Sequence, residues 1–91
     1  MNSGFFKVPN DIFDRGLSSK AIVVYCCLRR HAGARSECFP SRGKVASECC
    51  VGVSTVDRAI AELITRDLIR KDTRKNAIGG RTSNMYYLPD P

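Results

Sequence analysis

Residues 40–69 decide the fold, and they read Pro-Ser-Arg-Gly-Lys-Val-Ala-Ser-Glu-Cys-Cys-Val-Gly-Val-Ser-Thr-Val-Asp-Arg-Ala-Ile-Ala-Glu-Leu-Ile-Thr-Arg-Asp-Leu-Ile. Ser41 is a suitable N-cap for a short helix over residues 42–49, because its hydroxyl can accept a free backbone N–H of the first turn. Residues 50–52 are predicted to form a tight turn after that helix. The stretch therefore begins as a short helix followed by a turn.

A longer amphipathic helix follows the turn and continues to about residue 66, with Gly52 or else Ser54 as its cap. Its buried stripe consists of apolar residues at positions i, i+4 and i+7, which are Val56, Ile60 and Leu63. This layout predicts a helix-turn-helix, whose second helix enters the major groove of DNA. The start of that helix reaches base edges, so the candidate DNA-contacting residues are Val53, Ser54, Thr55, Asp57 and Arg58.

Arg58 is the leading candidate for base recognition, because one guanidinium can bond to O6 and N7 of guanine together. The alternatives for Arg58 are a phosphate contact and a surface salt bridge to Glu62, four residues further on. Val53 is placed to touch a thymine methyl group. Ser54 and Thr55 are better suited to bond phosphates.

The start of the shorter helix is a candidate phosphate site. Free backbone N–H groups and the positive end of the helix dipole favour an anion there. The residues expected to take part are Ser41, Arg42 and Lys44. The role of Ser41 as an N-cap is compatible with a phosphate contact.

The residue pattern after the long helix changes from helical to strand-like. It predicts one strand over 68–73, a turn over 76–80 and a return strand over 82–88, because Asn and Gly favour turns and Tyr favours strands. Three helices followed by such a hairpin define a winged helix-turn-helix, in which residues 68–88 are the wing.

The charge of the chain favours a polyanionic partner, since the net charge is +6 and the isoelectric point is about 9.4. Residues 41–65 are balanced, with three basic and three acidic side chains, whereas residues 66–81 hold six basic and two acidic ones. We therefore expect most of the salt-dependent affinity to come from the wing. Its candidate contacts are Arg70, Lys71, Arg74, Lys75 and Arg81.

The N-terminal third is predicted to contain a first full helix over 18–32, which Gly33 ends. Residues 4–9 are expected to be extended, because Pro9 disfavours a helix before it. Asn10 is expected to cap one short turn that ends at Gly16. A polar loop is expected before the shorter helix of the helix-turn-helix.

A chain of 91 residues is expected to form one domain. The fold class is mainly α, a winged helix-turn-helix with a three-helix core, a C-terminal β-hairpin wing and an extended N-terminal segment. Residues 1–91 are the domain, with the helix-turn-helix over 41–66. The Pro-Asp-Pro ending suggests a domain edge and favours a fragment of a longer protein.

The helix-turn-helix residues resemble the A-x-x-x-G-V-S-x-x-T-V-x-R-A-L-x-x-L pattern of bacterial winged-helix regulators and replication proteins. The matching residues are Ala46, Val51, Thr55-Val56, Arg58-Ala59-Ile60 and Leu63. Phe39-Pro40-Ser41 also resembles the aromatic-Pro-Ser that opens the second helix of this group. Two positions depart from the pattern. Cys50 stands where Gly is usual, at a cost of about 1 kcal/mol if it is left-handed, and Gly52 replaces the usual Ser cap.

Both ends of the chain resemble the N-terminal domains of plasmid and phage replication initiators and of DnaD-type primosome proteins. The matching stretches are residues 5–9, 17–18 and 80–87. This resemblance implies sequence-specific binding of double-stranded DNA in replication initiation, with other replication proteins as further partners. GntR-type transcription regulators share the Pro-Ser and Thr-Val-x-Arg elements, so transcription regulation is the alternative.

A protein-interaction module is a second alternative. Asp57 and Glu62 on the exposed face would repel phosphate, and the strand with Tyr86 and Tyr87 would offer an interface. A homodimer is compatible with DNA binding as well, since helix-turn-helix proteins often bind paired half-sites.

Five cysteines, at positions 26, 27, 38, 49 and 50, suggest a thiol or metal enzyme as a third alternative. No CxxC motif is present, so no metal, cofactor or catalytic residue is predicted, although Cys27 and His31 lie four apart on a predicted helix. The cysteines are expected to be reduced, small apolar fillers. The chain has no long apolar run and no signal-peptide pattern, so no membrane partner and a cytoplasmic location are expected.

Overall fold

The computed structural model describes residues 8–33, 36–38, 40–75 and 82–89, with backbone alone for 73–75 and 82–84. Three helices and a small antiparallel sheet make up the mainly helical fold that the sequence predicts. The elements in chain order are a 3-10 turn Ile12–Asp14, α1 Ser19–Ala32, β1 Glu37–Cys38, α2 Arg42–Cys49, α3 Val53–Thr65, β2 Arg70–Lys75 and β3 Thr82–Tyr87. No described helix is long and apolar enough to cross a membrane.

Helix α1 begins and ends where its local sequence predicts. The Ser18 hydroxyl accepts the backbone N–H of Ala21 at 3.2 Å, which satisfies one free donor of the first turn. Gly33 ends the helix at a positive φ of 60°, and its N–H donates to the carbonyl of Arg29 at 3.0 Å. Glycine takes this conformation without the steric cost of a Cβ.

The turn before α1 differs from the prediction. Its 3-10 helix is preceded by Asp11, and neither Asp11 nor Asn10 supplies a side-chain cap, so the predicted cap by Asn10 is wrong. The backbone closes the turn instead, since the N–H of Ile12 donates to the carbonyl of Pro9 at 3.2 Å. The buried Ile12 side chain anchors the turn to the core. The predicted extended segment before it lies mostly outside the described residues.

The core lies between the three helices and the sheet, and its members come from every layer. The most deeply buried large side chains are Val24, Tyr25, Leu28, Val45, Val56, Leu63, Ile69, Tyr86 and Leu88. The apolar stripe predicted for α3 is confirmed, with Val56, Ile60 and Leu63 all buried. This stripe, together with the buried Ala59, fixes the rotation of α3 about its axis, so Asp57, Arg58 and Ala61 face solvent.

Helices α2 and α3 end in the same hydrogen-bonded arrangement, a Schellman motif. After α2, the N–H of Cys50 donates to Ser47 at 3.3 Å and that of Val51 to Ala46 at 3.0 Å. Cys50 is left-handed, with φ 58° and ψ 42°, as its position in the pattern predicts. Gly52 then starts α3 from an extended conformation without a side-chain cap.

The second Schellman motif moves the start of the wing. Asp67 has a φ of 61°, its N–H donates to Ile64, and the N–H of Leu68 donates to Leu63, both at 3.0 Å. Leu68 and Ile69 are buried and connect α3 to the sheet. The strand therefore spans Arg70–Lys75 instead of the predicted 68–73. The error arises because an apolar pair that closes a helix has the same composition as a strand.

The sheet has three strands in the order β1-β3-β2, all antiparallel. The loop predicted before α2 contains β1, in which Glu37 pairs with Tyr87 and Cys38 with Tyr86. On the other side of β3, Tyr87 pairs with Arg70. The two tyrosines therefore lie on a central strand, and the expected interface along this strand is already filled by β1 and β2.

Candidate nucleic-acid interface

The five residues predicted to contact DNA from α3 lie on its first turns. Because the buried stripe begins with Val56, the side chains of Val53, Ser54, Asp57 and Arg58 are exposed, whereas that of Thr55 is half-buried. Val53 is 38% exposed, which leaves an aliphatic surface at the very start of the helix. The residues predicted to contact DNA from α3 therefore lie together at its N-terminal end.

Arg42 and Asp57 form an ion pair between the starts of α2 and α3. Nη1 of Arg42 lies 2.6 Å from Oδ2 of Asp57, and both side chains are about half exposed. Such a surface pair adds only about 0–1 kcal/mol of stability. Its main consequence is electrostatic, because Arg42 neutralises the negative charge of Asp57 that was expected to repel phosphate. The Arg42 guanidinium is in turn occupied by Asp57.

Glu62 is also engaged, in contacts that the sequence pattern did not predict. Its Oε2 accepts the backbone N–H of Ser18 at 2.7 Å, and its Oε1 accepts the Ser18 hydroxyl at 2.8 Å. These two bonds, the backbone one first, hold the pKa of Glu62 below its usual range. Glu62 therefore completes the cap of α1 from a residue 44 positions away.

Arg58 is left without the salt bridge considered as its alternative. Glu62 bonds to Ser18, and no ion pair of the described residues involves Arg58. Its side chain is exposed on the same surface as Ser54 and Asp57. An arginine in this position is available to an external anion or base edge.

The predicted phosphate site at the start of α2 has the expected cap. The Ser41 hydroxyl accepts the N–H of Lys44 at 3.1 Å, and the side chains of Ser41, Arg42 and Lys44 are exposed. The space beside Gly43 is open, since no atom beyond its chain neighbours and the backbone of its own helix lies within 4 Å of the position that a Cβ would occupy.

The wing candidates are described in part. Arg70 and Lys71 are exposed at the start of β2, and the guanidinium carbon of Arg70 lies 6.0 Å from the centre of the Tyr87 ring. The backbones of Arg74 and Lys75 pair with Ser83 and Thr82 in the hairpin. The side chains of Arg74 and Lys75, and all of Arg81, lie outside the described part of the structure.

A second group of polar side chains, which includes none of the predicted DNA contacts, lies between α1 and the end of α2. Cys27, His31 and Glu48 meet there, and the sequence pattern did not signal the carboxylate. Burial raises the pKa of the Cys27 thiol, and its hydrogen bond to Glu48 adds to the effect. His31 and then Cys27 lower the pKa of Glu48.

Known structures and families place this geometry in context. One matching solved structure is described as a possible transcriptional regulator from Methanosarcina mazei Go1, with a TM-score of 0.64 and 16% sequence identity. The match covers 84% of this chain and 59% of that one, so this chain spans about three fifths of its length. No curated protein matches the sequence significantly.

The family described as helix-turn-helix domain matches residues 15–69, from the end of the 3-10 turn to the connection before β2. These residues include all three helices and the capped turn between α2 and α3. The match covers more than half of the chain. Helices α2 and α3, with the turn between them, form the helix-turn-helix for which the family is named. This protein therefore belongs to the helix-turn-helix domain family.

Proposed function

We propose that the chain binds double-stranded DNA with sequence preference, through α3 in the major groove and the β2–β3 hairpin on the adjoining backbone. The observation that carries this proposal is the partnering of both carboxylates on α3. Asp57 pairs with Arg42 and Glu62 bonds to Ser18, whereas Arg58 has no ion pair among the described residues. The exposed start of the helix therefore presents an available cation to a polyanion.

Base recognition is assigned to a small set on α3. Arg58 is proposed to bond to guanine, and Val53 to contact a thymine methyl through its exposed aliphatic surface. Thr55 is half-buried, so its role is more limited than that of Ser54, whose side chain is exposed. Selectivity would come from these few positions because phosphate contacts carry no direct sequence information.

Affinity is assigned to cations that surround α3. Lys44 lies at the start of α2, and Arg70 and Lys71 are exposed on β2. The wing residues Arg74, Lys75 and Arg81 are included on their sequence positions alone. Each phosphate contact releases condensed counterions, so binding should weaken steeply as salt is raised.

The interaction-module alternative has less support. It relied on repulsion by Asp57 and Glu62 and on an available strand edge, but both carboxylates have partners and β3 is paired on both sides. A homodimer that binds two half-sites remains part of the proposal, and analytical ultracentrifugation of the DNA complex measures its stoichiometry. We propose a binding role without catalysis.

Two biological settings fit a DNA-binding domain. The resemblance of both chain ends to replication initiators and primosome proteins supports replication initiation, and the similarity to a possible transcriptional regulator supports transcription regulation. Footprinting on DNA around the gene discriminates between them. Binding within a replication origin supports the first, and binding over a promoter supports the second.

The test of DNA binding is selection of duplexes from a random pool, followed by affinity measurements over a salt series. Arg58→Ala should weaken the selected duplex by about 1–3 kcal/mol and relax the preference at one position. Arg30→Ala is the matched control, since it removes the same charge from α1, outside the proposed interface. If the wild-type protein shows no duplex affinity at low salt, the proposed function is wrong.

A further inference from the structure

Three side chains with different donor atoms meet where α1 packs against the end of α2. Cys27 and His31 are one turn apart on α1, and Glu48 comes from the last turn of α2. Nε2 of His31 lies 2.6 Å from Oε1 of Glu48, and Sγ of Cys27 lies 3.2 Å from the same oxygen. One ligand atom from each residue lies within 4.8 Å of the other two.

A sulfur, an imidazole nitrogen and a carboxylate oxygen are the donor types that Zn²⁺ takes in proteins. Zinc bonds of about 2.0–2.3 Å in a tetrahedron put neighbouring ligand atoms about 3.3–3.8 Å apart. The present separations, which run from 2.6 Å and 3.2 Å to no more than 4.8 Å, lie on either side of that range. Spacing of four residues on one helix also lets two ligands face the same point.

A fourth ligand can come from the neighbouring residue Cys49 or from solvent. Cys49 follows Glu48 in the sequence, and it lines the same surface cavity as Cys27. A shallow surface cavity is lined by both thiols and by Glu48, so an ion can enter from solvent. The side chains of His31 and Glu48 are 23% and 31% exposed, which agrees with a partly sheltered site at the surface.

We infer that Cys27, His31 and Glu48 form a zinc site, with Cys49 or a water molecule as the fourth ligand. Zinc bound here joins α1 to α2 directly before the turn that leads into α3. Binding converts the Cys27 thiol into a thiolate and releases its proton to solvent. The site lies outside the proposed DNA surface, and its test requires no DNA.

The experiment is a titration of the reduced, metal-free protein with Zn²⁺ in competition with a chromophoric chelator. We expect one ion per chain and an increase in the melting temperature, because zinc binds the folded state. Co²⁺ in place of Zn²⁺ should give a thiolate-to-metal charge-transfer band, which reports a sulfur ligand directly. Loss of this band in Cys27→Ser would assign it to that residue.

Cys27→Ser, His31→Gln and Glu48→Gln should each weaken zinc binding by about 100-fold or more, since even second-shell changes cost about 10–100-fold. Cys50→Ser is the matched control, because Cys50 is an exposed thiol beside the cluster but not a member of it. Circular dichroism verifies that each variant is folded. Absence of stoichiometric binding by the wild type, or an equal loss in Cys50→Ser, would overturn the inference.

Discussion

The helix-turn-helix and the wing use charged residues in different ways. In the helix-turn-helix, acidic side chains are bound by groups from other elements, as in Arg42–Asp57 and Ser18–Glu62. In the wing, Arg70 and Lys71 are exposed at the start of a strand within a segment of strong positive charge. Under the proposed function, the difference teaches that packing would position the few residues that select a sequence, whereas the excess of cations in the wing would supply attraction to DNA.

Leu63→Ala tests the contribution of side-chain packing in the helix-turn-helix. Leu63 is fully buried on the stripe of α3, so its truncation should lower the free energy of unfolding by about 2–5 kcal/mol. Urea denaturation followed by circular dichroism measures the change. Tyr87→Ala in the sheet is the comparison. Because Tyr87 is 37% exposed, its truncation should lower the free energy of unfolding by less than that of Leu63. Equal losses would remove the distinction between the two regions.

Lys71→Ala tests the contribution of positive charge in the wing. This change should weaken binding to selected and unrelated duplexes alike, and it should reduce the slope of log affinity against log salt by about one. Fluorescence anisotropy over a salt series measures both quantities. A loss confined to the selected duplex would assign Lys71 to base recognition and contradict the division between the two regions.

The turn that positions α3 is tested by Cys50→Gly. A left-handed non-glycine residue costs about 1 kcal/mol or more, so glycine should stabilise the fold by about 0.5–1 kcal/mol after its greater unfolded-state entropy is included. Asp67→Gly is the control at the equivalent position after α3, where the gain should be smaller because aspartate tolerates this conformation better. Denaturant midpoints measure both changes, and destabilisation by Cys50→Gly would refute the strain argument.

The smallest effect is expected from the Glu62 cap. Its lowered pKa means that its contribution is present above the unfolded-state value near 4.3 and is lost as pH falls through the folded-state value. Glu62→Gln should therefore lower the melting temperature at neutral pH and flatten its decline in acid. Thermal melts from pH 7 to pH 2 measure this. Parallel curves for wild type and variant would show that the cap does not contribute.

Most features determined by neighbouring residues were predicted correctly, apart from the cap by Asn10 and the start of β2. Ser41 and Gly33 mark helix ends through local hydrogen bonds and backbone freedom, and the left-handed Cys50 follows from its place in the turn. The position of the DNA candidates on α3 follows from the stripe that begins at Val56. Their roles in DNA contact remain predictions.

Features determined by distant residues were missed. The two-residue strand β1 exists only because β3 offers it a partner, and its sequence has no strand signal. Glu62 meets Ser18 across 44 positions, and Glu48 meets His31 across 17, so spacing along one helix could not reveal either pair. The start of the wing was misplaced because Leu68 fits a strand or a helix end equally well.

The contact between Ser18 and Glu62 has a consequence for the order of folding. The first backbone amide before α1 donates to a carboxylate on α3, so it is protected from solvent only after the two helices have docked. Although Ser18 is exposed, its amide hydrogen should exchange with the slow protons of the core and not with those of a fraying helix end. The two helices would then open as one cooperative unit, and a single surface amide would report their separation.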